Sequence, residues 1–189
     1  MGYNTDFCGS LEFNKPVEGW LVNYIDRFNE TRRMKRDVEK IKELYPDWEE
    51  KCFKGNLGPD GAFFVGGDGF MGQLKDDSIL DYNCPPSGQP GLWCQWIVNN
   101  GCLMWDGNEK FYDYVSWLKY LIENFFSPLG YVLNGAIDFQ GEDYEDFGTI
   151  VVNDNVVDVE YGMRLTSMSD LNTEDLITEL ENRGYKVTT

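Results

Sequence analysis

The run Leu92-Trp93-Cys94-Gln95-Trp96-Ile97-Val98, the dipeptide Asn100-Gly101 and the run Cys102-Leu103-Met104-Trp105 constrain this chain more than any other stretch. Asn-Gly between two β-prone apolar runs favours a two-residue hairpin turn, because both central residues must take positive φ. Such a turn sets Val98 opposite Leu103 and Trp96 opposite Trp105. Cys94, Trp96, Val98, Leu103 and Trp105 then share one uniformly apolar face, which reads as core. The other face carries Trp93, Gln95, Ile97 and Met104. An amide set among large apolar groups points to a partly open surface or the floor of a cleft.

Helical periodicity supplies what the hairpin packs against. Leu21, Tyr24, Ile25 and Phe28 recur at i, i+3, i+4 and i+7 after Pro16, and a second stripe runs Phe111, Val115, Leu118, Ile122 and Phe125 from a start near Asn108. The second stripe is apolar almost all round, which predicts deep burial. The first stripe predicts an apolar residue at position 32, where Arg32 stands instead. A fresh stripe, Met34, Val38, Ile41 and Tyr45, follows before Pro46. The segment "NETRRMKRD" therefore sits where the buried face breaks, as a joint or an exposed turn.

Alternating Phe7, Gly9, Leu11 and Phe13 predict an early strand, and "YVLNGAIDFQG" and "GTIVVNDNVVDVEYG" predict late ones, the latter folding back at Asp154-Asn155. Residues 54–91 are loop-rich, with only "AFFV" and "SILDY" strand-like; so long an irregular stretch in a compact domain is often functional. The expected architecture is α+β: an antiparallel sheet with two main helices packed on one face. The order is β-α-β-β-α-β with ferredoxin-like flavour, extra strands, and a short C-terminal helix. The domain spans 1–162, and 163–189 form a linker and a capped helical appendage too short to hold alone.

Composition narrows the chemistry. The chain has 189 residues, no histidine, and a formal net charge of −17. Without histidine, Ser-His-Asp and Cys-His catalysis and His-built zinc sites are excluded. Nine of the 16 basic residues lie between Arg27 and Lys54, while Asp138–Glu181 holds thirteen acids and one base. Such a surface repels nucleic-acid backbone and anionic membrane and favours basic partners. No apolar run spans a bilayer and no leader pattern is present, so a cytoplasmic protein with no membrane association is expected. The five cysteines form no C-x-x-C pair and read as reduced thiols.

Three motifs invite chemistry. Gly67-Asp68-Gly69-Phe70-Met71-Gly72 fits G-x-G-x-x-G, but no long helix follows to receive a pyrophosphate, and Asp68, Asp76 and Asp77 oppose one; a plain glycine loop is favoured. "GEDYEDFG", 141–148, lacks the alternating ligands of a calcium loop and reads as an acidic hairpin turn. A carboxylate pair such as Asp81 with Glu109 has no spacing that selects it. No metal ligand set, no cofactor and no catalytic residues are expected.

The remaining candidate is a ligand site. Arg32, Arg33, Lys35 and Arg36 form a cationic knot, which either pairs with the chain's own acids or serves as an anion site, since Arg forks match carboxylate and phosphate. The break in the stripe predicts that the arginines are not buried by helix packing. Tyr82 and Trp93 offer stacking surfaces, with Asn83, Gln89 and Gln95 as amide readers. The predicted site is therefore Arg32, Arg33 and Arg36 meeting Tyr82, Asn83, Gln89, Trp93 and Gln95.

"MGYNTDF", "ETRRMKRD", "FFVGG", "GQPGLWCQW", "WDG.EKFYDYV.WL.YLI" and "QGED" occur together and in order. With these segments, residues 1–160 resemble a widespread family of hypothetical cytosolic proteins of bacteria and their phages. The tail resembles a short helical appendix found behind unrelated domains. The resemblance implies a single-domain cytosolic module and transfers no mechanism. The leading functional expectation is a non-catalytic binding or regulatory module, a bacterial or phage-encoded inhibitor or regulator engaging a protein or a small anionic, nucleotide-like ligand, with no direct nucleic-acid binding; the phage part rests on the resemblance alone. The alternatives are an enzyme using Asp, Glu, Tyr or Arg on a nucleotide-like substrate, and an acidic nucleic-acid mimic.

Overall fold

The computed structural model describes residues 2–162 and Ile177; apart from the helical Ile177, the expected C-terminal appendage lies outside the described residues. Described residues 2–162 contain eight strands and three α-helices: β1 (Thr5–Phe13), α1 (Gly19–Asn29), β2 (Lys35–Arg36), α2 (Val38–Leu44), β3 (Ile79–Asp81), β4 (Trp96–Asn99), β5 (Cys102–Trp105), α3 (Tyr114–Leu121), β6 (Leu133–Gly141), β7 (Phe147–Asn153) and β8 (Val156–Tyr161). Six form one antiparallel sheet in the order β4-β5-β1-β6-β7-β8, and β2 pairs with β3 apart from it. The molecule is α+β.

The hairpin register follows from the turn. Asn100 and Gly101 both take positive φ, Trp96 pairs with Trp105, and Val98 pairs with Leu103. The same device recurs at Asp154-Asn155, where positive φ at both residues folds β8 back onto β7. Leu11, Trp96, Leu103, Leu133, Ile137 and Ile150 project to one side of the sheet. There they share a core with Leu21, Ile25 and Phe28 of α1 and Trp117, Leu118 and Leu121 of α3. On the opposite side Asp6, Cys8, Glu12 and Asp138 are exposed.

Two sequence expectations need correction. The second main helix starts at Tyr114, not Asn108. Asp106 Oδ1 accepts the Asn108 backbone N–H at 2.8 Å, and positive φ at Gly107, Lys110 and Asp113 turns the chain repeatedly before the helix begins. The helix then runs on through a π-type turn, Ile122–Phe126, which keeps Ile122, Phe125 and Phe126 buried. "AFFV", Ala62–Val65, is not a strand. Ala62, Phe64 and Val65 are buried and Phe63 half-buried, but side chains rather than a neighbouring strand satisfy its carbonyls: Tyr24 Oη donates to Phe63 O, and Arg33 Nη2 donates to Ala62 O and Phe64 O.

Helix α2, capped by Asp37, whose Oδ1 accepts from the Glu39 and Lys40 N–H groups, covers a small second core of Ile41, Tyr45, Cys52, Leu57 and Phe64. The long 54–91 segment is thus pinned from both sides. It is irregular without being loose.

Candidate functional site

The arginine segment leaves the C-terminus of α1 and runs directly along the 62–93 region. Arg33 N donates to Leu92 O at 2.9 Å, and Arg32 N donates to Met71 O at 2.9 Å. These bonds bring the cationic knot beside the 81–96 segment, but its three arginines then diverge. Arg32 is half-buried. Its guanidinium lies 4.4 Å from the Tyr82 ring centroid and 5.6 Å from that of Trp93, with Nε donating to Tyr82 O and Nη2 to Asn83 Oδ1, each at 3.2 Å. Arg32, Tyr82, Asn83 and Trp93 therefore come together.

Arg33 and Arg36 do not join them. Each is only 2% exposed, buried mainly against loop acceptors, so the expected free anion site is not formed by them and the alternative, pairing within the chain, holds for both. Arg33 stacks 4.1 Å over Phe28, and besides the Ala62 and Phe64 carbonyls it reaches Gln89 Oε1 at 3.3 Å. Burial lowers its pKa to about 10, so it stays charged at neutral pH. Arg36 pairs with Asp76 at 2.7 Å and Ser78 Oγ at 2.6 Å, over the Phe64 ring. The physical reason is the same in both cases. Buried loop carbonyls and the half-buried Asp76 carboxylate need donors, and a guanidinium supplies five in a rigid plane. Gln89 is absorbed likewise, donating to Ala62 O and Tyr120 Oη.

The glycine loop follows from this scaffold. Gly66, at φ +78, runs so close to Arg27 that a Cβ would meet Nη2 at 2.6 Å, and Gly72, at φ +56, packs on Thr31. Between them the chain makes a 3₁₀ turn, Phe70–Gly72, with no long helix after it. The dinucleotide reading gains no support. The turn instead lifts Phe70 into solvent, 83% exposed.

Phe70 stands at a cleft of about 400 Å³. Its apolar walls are Phe70, Met71, Trp93 and Tyr112, and its polar lining is Asn29, Gln73, Gln95, Asp106, Asn108, Glu109 and Lys110. The cleft draws on α1, the glycine loop, the segment before β4 and the irregular 106–112 stretch. Gln95 is its floor rather than its reader: Nε2 donates to Glu109 O at 2.9 Å and Oε1 accepts from Trp105 Nε1 at 3.2 Å. Asp106 is likewise committed, with Oδ2 accepting from Asn29 Nδ2 at 2.7 Å and Asn108 Nδ2 at 2.8 Å.

A larger concavity, about 510 Å³, lies on the open side of the sheet around Asp6, Cys8, Asp138 and Thr149. Thr149 Oγ1 donates to Asp138 there at 2.6 Å. It is built mostly of sheet strands whose outward side chains meet solvent in any half-open antiparallel sheet. The Trp93 cleft, assembled from four separate segments, is the better-constructed site.

Among the described residues no group of three or more acids and cysteines could hold a metal ion, and no helix is long and apolar enough to cross a membrane. All five cysteines are free, and burial pushes the Cys94 thiol up to about 12, which keeps it protonated. The 141–148 acids form a hairpin turn closed by Gly141 N on Asp146 O at 2.7 Å. Sequence reasoning missed Asn29, Phe70, Asp106, Asn108, Glu109, Lys110 and Tyr112 as cleft residues. The available signal was the polar Asn29 directly after the buried Phe28, and the Asp-Gly-Asn turn directly after the hairpin. No protein-family model matches this chain, and neither the curated proteins nor the solved structures include a significant match to it.

Proposed function

We propose that this chain is a non-catalytic binding module that engages a protein partner through the Trp93 cleft. The observation that carries this reading is Phe70: a phenylalanine 83% exposed at the mouth of an aromatic-walled cleft, on a turn whose flanking glycines are fixed by Arg27 and Thr31. Exposed aromatics beside a preformed cavity are characteristic of anchoring surfaces between proteins. A small anionic ligand held by paired arginine forks is less well supported, since Arg33 and Arg36 are buried against internal acceptors away from the cleft and only Arg32 borders the aromatic residues. A catalytic role is disfavoured by the same economy: Asp106 is occupied by Asn29 and Asn108, and Gln95 by Trp105 and Glu109. The resemblance bears only on a bacterial or phage setting for this reading and supplies no role. We also infer a ferredoxin-like unit in β1, α1, β4, β5, α3 and β6, with β7 and β8 added at the β6 edge; the strand order β4-β5-β1-β6 supports it.

Site-specific photocrosslinking in the source cell tests the functional reading. A benzophenone amino acid at Phe70 is expected to give one discrete protein adduct that disappears on Trp93→Ala. The same probe at Val156, comparably exposed on the sheet edge at 69%, is expected to give none. Adducts at Val156 alone would move the binding surface to the sheet edge.

A further inference from the structure

The cleft's hydrogen-bonding balance identifies its guest. Asn29 is 7% exposed and lines the cleft. Both neighbours of its amide nitrogen, Cys94 O at 3.1 Å and Asp106 Oδ2 at 2.7 Å, are acceptors. The nitrogen must face them, so the atom left over is Oδ1, which accepts no hydrogen bond from any described residue. This oxygen is open to the cleft, so a guest with a donor can reach it directly. Asn108 Oδ1 and the Glu109 carboxylate also lack donors among the described residues. On the donor side are the Gln73 amide and Lys110, and the Lys110 stem is laid against Gly2, where a Cβ would stand 2.7 Å from its Cε. Acceptors predominate, between aromatic walls.

Resting on the protein-partner reading above, we propose that the cleft receives an arginine side chain of the partner, its guanidinium stacked on the aromatic walls and donating to Asn29 Oδ1 and the Glu109 carboxylate. A guanidinium is planar and carries five donors with no acceptor, the complement of this lining. Trp93 already takes one guanidinium within the chain, that of Arg32 at 5.6 Å. The net charge of −17 steers a cationic partner toward the molecule and repels a nucleotide. The expected anionic guest is thereby inverted. The cleft's own lining charges are Asp106, Glu109 and Lys110, and with Arg32 on the Trp93 wall acids and bases balance locally, so the attraction comes from the acidity of the whole chain.

Calorimetric titration with N-acetyl-arginine amide, its neutral isostere N-acetyl-citrulline amide, and AMP is the test. Arginine amide is expected to bind, and citrulline amide about tenfold more weakly, the size of one partly desolvated cation–π contact. Glu109→Gln is expected to weaken arginine binding several-fold with an unchanged melting temperature, because Glu109 is exposed and carries no fold contact through its carboxylate. Equal binding of citrulline and arginine, or AMP binding with no arginine binding, overturns the proposal. A photoadduct at Phe70 alongside either of those results rejects the arginine guest while leaving the cleft as the binding surface; loss of both rejects the surface as well.

Discussion

Asn29 Nδ2 and Asp106 Oδ2 lie 2.7 Å apart, tying the last turn of α1 to the residue that follows β5. The same carboxylate closes the 106–108 turn through the Asn108 N–H, and the Asp106 N–H returns to Gln95 O at 3.0 Å. One acid thus sets the shape of one wall of the cleft. Asp106→Ala leaves the buried Asn29 amide without a charged acceptor and is expected to cost about 1–3 kcal/mol. The urea midpoint reads the loss, and binding of arginine amide should fall with it because the wall is released.

The Arg36–Asp76 pair anchors the glycine loop's far end and carries a pH signature. Burial raises the Asp76 pKa, but hydrogen bonds from Ser78 and Arg36 outweigh it and hold the carboxyl below its ordinary value. A depressed folded-state pKa contributes stability that is complete above the unfolded value and is lost as pH falls through the folded one. Asp76→Asn is expected to cost about 3 kcal/mol at pH 7, the lower end for a broken buried pair. That deficit should shrink below about pH 4, where the unfolded carboxyl takes up a proton, and fade further at lower pH. Urea unfolding of both proteins from pH 7 to 2.5 checks the sign. A deficit that grows in acid contradicts it.

Arg33 separates scaffold from site. Its guanidinium serves three acceptors and one aromatic face at once, which a lysine ammonium on a flexible stem does not reproduce. Arg33→Lys is therefore expected to lose about 1–3 kcal/mol of stability. Folded Arg33→Lys should still bind arginine amide as the parent protein does, because Arg33 does not line the cleft. A selective loss of binding at unchanged stability would return Arg33 to the ligand site.

Trp96 is fully buried between the hairpin and the helices, and its indole N–H donates to Tyr114 O at 2.9 Å. Trp96→Ala is expected to cost about 3–5 kcal/mol from lost transfer energy and the cavity left behind. Phe125→Ala, in the π-type turn and packed on Tyr24, Phe28 and Phe53, belongs in the same range. Thermal and urea unfolding measure both.

The parts of the fold legible from sequence are those governed by local rules. Asn100-Gly101 fixes Trp96 on Trp105 because positive φ at two consecutive residues permits one register. The stripe Leu21, Tyr24, Ile25 and Phe28 fixes the buried face of α1 because 3.6-residue periodicity is local. For Arg33 and Arg36 the broken stripe predicts only that helix packing does not bury them, because periodicity counts apolar positions. Nothing at 32–36 reports that carbonyls of residues 62 and 64 and the carboxylate of Asp76 arrive from a distant loop and need donors. The cleft was found from one side, through Trp93 and Gln95, but Gln95 proves to be its braced floor. Its readers, Asn29 and Glu109, come from an α1 terminus and an irregular turn that meet only in the folded chain.

The central claim is that a guest enters the cleft beside Trp93, and fluorine NMR of protein labelled with 5-fluorotryptophan measures this most directly. The chain has six tryptophans, among them Trp93 in the cleft and Trp20, 41% exposed elsewhere. Titration with N-acetyl-arginine amide is predicted to shift the resonance that vanishes in Trp93→Phe while leaving that of Trp20 in place. A titration that shifts Trp20 and not Trp93, or that moves Trp93 only with AMP, would contradict the account.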